Sequence, residues 1–136
     1  MIKTQALSKT FKIGKKQKED LKAVDGLSLE VYEGEVFGFL GPNGAGKTTT
    51  VRMLTSLIRP TSGTARVAGY QVGEDDLDIR RNVGLLTESP GMYERLSAEK
   101  NLQIFAKLYD VPDVDKTVNK YLSLFGLWER DRKSVV

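Results

Sequence analysis

The residues of this chain best suited to chemistry are Gly41-Pro42-Asn43-Gly44-Ala45-Gly46-Lys47-Thr48, which fill every position of the phosphate-binding pattern G-x-x-x-x-G-K-[ST]. Glycine lets the backbone turn with its N–H groups pointing inward, which makes a nest for phosphate oxygens. Lys47 reaches the terminal phosphates as a point charge, and the Thr48 hydroxyl is placed to ligate Mg²⁺. The chemistry is the binding of a nucleoside triphosphate.

Two elements must hold such a loop. Glu35–Leu40 is a short apolar run, and it predicts a buried strand entering the loop. From Thr48 to Ile58, Val51, Leu54, Leu57 and Ile58 share one helical face, predicting a helix whose N-terminus adds its positive dipole end to the anion site.

Composition narrows the remaining choices. A chain of 136 residues supports one modest core and normally one domain. No apolar run approaches the ~20 residues that span a bilayer, and Lys3, Lys9 and Lys12 interrupt any signal-peptide core. Cysteine is absent, which excludes disulfides and thiolate metal sites and suits a reducing cytosol. Histidine is absent as well, removing imidazole as base or ligand. The net charge is +3. Much of it lies in Lys9, Lys12, Lys15, Lys16 and Lys18 around Gly14. This stretch reads as a solvated hairpin loop, because no arginine interleaves it as in a nucleic-acid patch.

Along the chain, residues 2–8 and 27–32 predict short β segments, punctuated by Gly26 and Gly34. Arg59-Pro60-Thr61-Ser62-Gly63 ends the helix after the loop. Thr64–Gly69 predicts a strand, Tyr70–Val72 a short one, and Ile79–Asn82 a turn of helix leading into the apolar run Val83–Leu86. Beyond residue 90 the pattern is helical. Ser97 is the expected N-cap, with Glu99 in the first turn. Leu102, Phe105, Ala106 and Tyr109 form one apolar face. Pro112 breaks it, and Val114, Val118, Tyr121, Leu122 and Phe125 form a second. These aromatics are expected to pack helix against helix.

Several stretches resemble the ATP-binding cassette (ABC) family of transporter ATPases. They are Leu7-Ser8-Lys9-Thr10-Phe11, Ala23-Val24-Asp25-Gly26-Leu27-Ser28 through Gly34-Glu35, Leu40 through Thr50, and Asn82 through Leu102. Within the family the chain looks closest to the ATPases of ABC-2-type exporters, including drug and antibiotic efflux systems. The resemblance implies an α/β fold: a P-loop NTPase core with an antiparallel β subdomain and the start of a helical subdomain. Residues 1–91 correspond to the first part of the nucleotide-binding core and 92–136 to the beginning of the helical subdomain.

The resemblance also implies roles. Phe11 matches the aromatic that stacks on adenine, the alternative being a core aromatic at a strand end. Gly41, Pro42, Asn43, Gly44, Ala45, Gly46, Lys47, Thr48 and Thr49 match the nucleotide cradle, with Lys47 acting in catalysis. Glu88 stands where the family usually carries a catalytic, metal-contacting glutamine. A carboxylate ligates Mg²⁺ through oxygen but cannot donate a hydrogen bond as an amide does. Thr48 and Glu88 are thus the candidate metal ligands, and ATP and Mg²⁺ the expected cofactors. The family's Ser-Gly-Gly signature, its apolar strand ending in Asp-Glu and its late histidine have no counterpart here. The expectation is therefore a truncated ATPase that binds ATP weakly and does not hydrolyse it. In the full-length protein the implied partners are transmembrane permease subunits and a second ATPase subunit, with no nucleic acid. The implied location is the cytoplasmic face of the membrane, reached only through a partner. The alternative is a non-transport ABC ATPase, a soluble switch in translation or repair.

Overall fold

The computed structural model describes residues 1–14, 19–87 and 91–128. They fall into two compact units, Met1–Leu85 and Leu86–Val136.

The first unit is organised by one long strand, β1 (Ile2–Ile13). Its second half pairs antiparallel with β2 (Glu19–Leu27), with Phe11 opposite Leu21 and Lys9 opposite Val24. Its first half pairs antiparallel with β3 (Glu30–Val31) and with β4 (Ser62–Val67), which in turn pairs with β5 (Tyr70–Gln71). The sheet order is β2-β1-β4-β5, with β3 also on β1. One strand serves both halves because it bulges. Ala6 takes φ 47, and the pairing of β1 with β4 slips between Gln5 and Ser8, on either side of it. A bulge of this kind bends a strand and increases its twist. Gly63 of β4 lies against this bulge, where a Cβ would run into the Ala6 and Gln5 carbonyl oxygens.

Two helices cover the sheet: α1 (Lys47–Leu54) and α2 (Asp76–Asn82). Met53 of α1 and Ile79 of α2 are fully buried with Leu7, Val24, Ala65, Val67 and Val72. Leu54, Ile58, Tyr70 and Val83 pack against that cluster. The helix after the loop ends four residues before the expected Ile58, and Leu57 is exposed. The reason is a Schellman closure. Ser56 adopts φ 55, its N–H donates to the Met53 carbonyl at 3.0 Å, and the Leu57 N–H donates to the Arg52 carbonyl at 2.9 Å.

Two further expectations are corrected. Lys9 and Lys12 belong to β1, and strand β2 begins at Glu19, so the solvated-loop reading spans part of a paired hairpin; Lys15, Lys16 and Lys18 lie outside the described residues. Glu35–Leu40 is not a strand, and the apolar run Val83–Leu86 does not form one either. Val36 is 99% exposed and Leu40 94%. A strand exists only where a neighbour completes its ladder, and among the described residues none runs beside either stretch.

The second unit contains α3 (Ala98–Leu108) and α4 (Val114–Leu124). Ser97 caps α3 as expected, its Oγ accepting from the Lys100 N–H at 3.3 Å. Ala106, Val118 and Leu122 are buried between the helices, with Leu102, Val111, Val114 and Trp128 packed around them. Asn101 is buried and fixes the approach to α3. Its Oδ1 accepts from the Tyr93 N–H at 2.8 Å, and its Nδ2 donates to the Tyr93, Leu96 and Ser97 carbonyls. Of the expected apolar faces, Tyr109 and Phe125 remain largely exposed. Tyr109 borders a shallow groove of about 240 Å³ shared with Leu102, Phe105 and Tyr121.

Asp76 ties α2 to the turn before it. Its carboxyl is held below its ordinary value near 3.8, first by the Gly73 N–H and then by the nearby Ser56 hydroxyl and the Arg59 and Arg80 charges, against the opposing effect of burial. The Gly73 N–H donates to Oδ1 at 2.7 Å. A folded-state pKa below the unfolded one contributes stability that is present at neutral pH and lost as pH falls through the folded value. Asp76→Asn should therefore cost about 1–2 kcal/mol at neutral pH. In urea unfolding the gap to the parent chain should close as the pH drops below the ordinary carboxylate range.

Candidate functional site

The loop from Gly41 to Gly46 is built on glycine geometry. Gly44 and Gly46 take φ 84 and 83, in the left-handed region that residues with a Cβ seldom adopt. The Ala45 N–H donates to the Pro42 carbonyl at 3.2 Å, which closes the turn. Gly46 is the N-cap of α1, and its carbonyl accepts from the Thr50 N–H at 2.8 Å and from the Thr50 hydroxyl at 3.0 Å.

Periodicity sorts the three threonines that follow Lys47. Thr50 turns into the core and is buried, whereas Thr48 is exposed. The Thr48 hydroxyl therefore stands at the helix N-terminus on the open side, next to the unpaired N–H groups of the first turn. Lys47 opens α1, and its ammonium donates to the Gly41 and Pro42 carbonyls at 2.5 and 2.7 Å. The lysine thus lies along the loop it serves. Gly41 through Thr49 come together as one continuous cradle of turned backbone, cation and hydroxyl.

β2 seats this cradle. At Gly46 a Cβ would collide with the Ala23 carbonyl oxygen and crowd the Val24 side chain. The same strand carries Leu21, the register partner of Phe11. Leu21 and Ala23 are two residues apart, about 7 Å along a strand, so one hairpin brings Phe11 to the neighbourhood of the loop. Phe11 is half-buried and does not belong to the buried cluster. The Lys9 ammonium lies 5.2 Å over its ring centroid. Glu88, the remaining expected site residue, lies outside the described residues.

Residues 24–136 match the ABC transporter family. The chain belongs to that family. It is 39% identical over 135 residues to the bacitracin transport ATP-binding protein BcrA of Bacillus licheniformis, covering 99% of this chain and 42% of that protein. It is 40% identical over 118 residues to the daunorubicin resistance ATP-binding protein DrrA3 of Streptomyces coeruleorubidus, covering 85% of this chain and 37% of that one. The fold is similar to the dimeric post-hydrolysis structure of the ATP-binding cassette MJ0796 bound to ADP and Pi. The TM-score is 0.75 at 24% identity, over 90% of this chain and 56% of that one. The chain thus spans about two fifths of the length of these curated relatives. The ABC ATPase core expected from the sequence is the fold observed.

Two contributions to the site escaped the sequence reading. Ala23 and Val24 stood out only as part of a family-like stretch, whereas here they form the seat of the loop. The sequence places Lys9 among several solvated lysines, yet its side chain is held against Phe11. The i, i+2 spacing of Lys9 and Phe11 on one strand face was the available signal.

The seat predicts an asymmetry between two glycines of equal φ. Gly44→Ala meets nothing within 4 Å and should cost about 1–2 kcal/mol of backbone strain. Gly46→Ala adds the collision with Ala23 and should cost at least about 2 kcal/mol more. Urea denaturation of the two variants measures the difference; equal costs would mean that the loop does not rest on β2.

Proposed function

We propose that this chain is the nucleotide-binding portion of an ABC ATPase that couples ATP binding and hydrolysis to export through membrane subunits of the ABC-2 type. The observation that carries the reading is the cradle itself: left-handed Gly44 and Gly46, Lys47 at the first position of α1, and an exposed Thr48 hydroxyl beside it. The names of BcrA and DrrA3, a bacitracin transport protein and a daunorubicin resistance protein, support efflux of an antibiotic-like compound as the coupled process.

In this reading the loop N–H groups and the helix dipole hold the phosphates, and Lys47 leaves its carbonyl partners to neutralise the terminal ones. Phe11 presents its ring to adenine. The residues present fit a magnesium ion. The Thr48 hydroxyl is a hard oxygen donor, and Mg²⁺ characteristically takes few protein ligands and completes its shell from phosphates and water. Thr48 and Glu88 would hold it, and bound there it would neutralise charge on the β- and γ-phosphates. No described group of three acidic, histidine or cysteine side chains offers an all-protein cation site. The partners are transmembrane permease subunits and a second ATPase subunit, and the location is the cytoplasmic membrane surface. No helix among the described residues is long and apolar enough to cross a membrane.

The 136-residue chain on its own binds ATP weakly and without steady turnover, since it contains no histidine and no apolar run ending in Asp-Glu. Lys47→Ala should weaken ATP binding at least tenfold, a hydrogen bond to a charged group being worth about 1.5–3 kcal/mol. Calorimetry on folded protein checks this, and equal affinities would sink the assignment. Steady hydrolysis by the parent chain, lost in Lys47→Ala, would overturn the claim of inactivity.

A further inference from the structure

Lys9 makes two contacts that define its position. Its ammonium donates to the Arg59 carbonyl at 2.6 Å and lies 5.2 Å from the Phe11 ring centroid. The first is a charge-assisted hydrogen bond that fixes the cation, and the second puts the fixed cation over a π face. Lys9 and Phe11 are two apart on β1 and so share a face of the strand. The Arg59 carbonyl belongs to the segment between α1 and β4, so the anchor comes from the chain that leaves the phosphate-binding helix. Phe11 is half-buried and stands outside the apolar cluster that packs the sheet.

We propose that Lys9 is a positioning residue for the nucleobase: it clamps one face of Phe11 so that the other face serves as the stacking platform. The inference rests on the reading of Phe11 as the adenine contact. Two effects follow from the geometry. The cation fixes the ring, which reduces the entropy lost when a base stacks on it. It also draws on the negative quadrupole of the ring face, so the opposite face repels the π cloud of an incoming base less. Both effects act on the base and neither acts on the phosphates. Lys9 should therefore raise affinity only for ligands that carry a base.

The test compares ATP with inorganic tripolyphosphate, which offers the phosphates alone, by calorimetry on the 136-residue chain. Lys9→Met keeps the aliphatic stem and removes the charge. It should weaken ATP about two- to fivefold, the range expected of a partly exposed cation–π contact, and leave tripolyphosphate unchanged. Unchanged tripolyphosphate affinity also reports an intact cradle in a folded sample. Lys9→Arg should restore ATP affinity, and in a Phe11→Leu background Lys9→Met should cost nothing further. Equal losses for ATP and tripolyphosphate would assign Lys9 to the phosphates and overturn the proposal. So would Lys9-independent ATP affinity in a chain where Phe11→Leu is damaging, and that result would leave the stacking role of Phe11 standing. If Phe11→Leu binds ATP as tightly as the parent, the platform and its clamp fall together.

Discussion

The approach of Gly46 to the Ala23 carbonyl is the constraint around which the first unit is arranged. A loop with φ near +80 at two positions buries no apolar side chain of its own to hold it down, since Pro42 and Ala45 are exposed. It keeps its shape only by resting on something rigid. Here the support is backbone, because the residue at the contact has no Cβ to intervene. The closeness sets where α1 begins, and the start of α1 sets which of its residues face the sheet. Thr50 and Met53 turn inward, and Thr48 is left outward with its hydroxyl. One glycine thereby couples the antiparallel hairpin to the orientation of Lys47 and Thr48.

The stretch entering the loop shows the limit of that arrangement. Val36, Gly38 and Leu40 alternate with Phe37 and Phe39, so both faces of an extended segment would be apolar. This is the pattern of a strand covered on both sides, as in parallel α/β sheets. Phe37 and Phe39 meet each other at 5.9 Å, while Val36 and Leu40 are open to solvent. The antiparallel sheet meanwhile satisfies its own ladder without this segment. Apolar pattern and ladder pairing are separate requirements, and only the first can be read from a single stretch of residues.

The same distinction explains what was legible beforehand. The loop could be read in full, because glycine, lysine and threonine at fixed spacing have few other uses. Strand β4 and the Ser97 cap followed from local patterns that tertiary structure did not override. The end of α1 did not. All three longer helices close with the same pair of hydrogen bonds, but only α4 uses a glycine, Gly126, for the left-handed residue; α1 uses Ser56 and α3 uses Asp110. A serine at φ 55 has no sequence signature, so the α1 helix looked longer than it is. β2 was missed for a related reason. Its sequence, EDLKAVDGL, is mostly exposed, and it becomes a strand because β1 offers a partner. Of the candidate site, the glycine loop with Lys47 and Thr48 was readable from residues alone. The place of Phe11 came from resemblance, and the role of Ala23 emerged only from the packing of the loop.

The early end of α1 has a consequence for how the unit is tied together. The left-handed Ser56 turns its carbonyl toward α2, where the Arg80 guanidinium donates to it at 3.2 Å. Arg59, three residues on, lies 3.9 Å from the Asp76 carboxylate, and its own carbonyl accepts from Lys9. Had the helix run to Ile58, its last carbonyls would have pointed along the helix axis, away from these partners. The short turn instead exposes them to side chains from α2 and β1. Individually such exposed or half-exposed contacts are weak. Together they leave the tail of α1 held from two sides, by α2 through Arg80 and Asp76 and by the Phe11 strand through Lys9. Backbone and short polar contacts therefore link the end of α1 to the strand that carries Phe11.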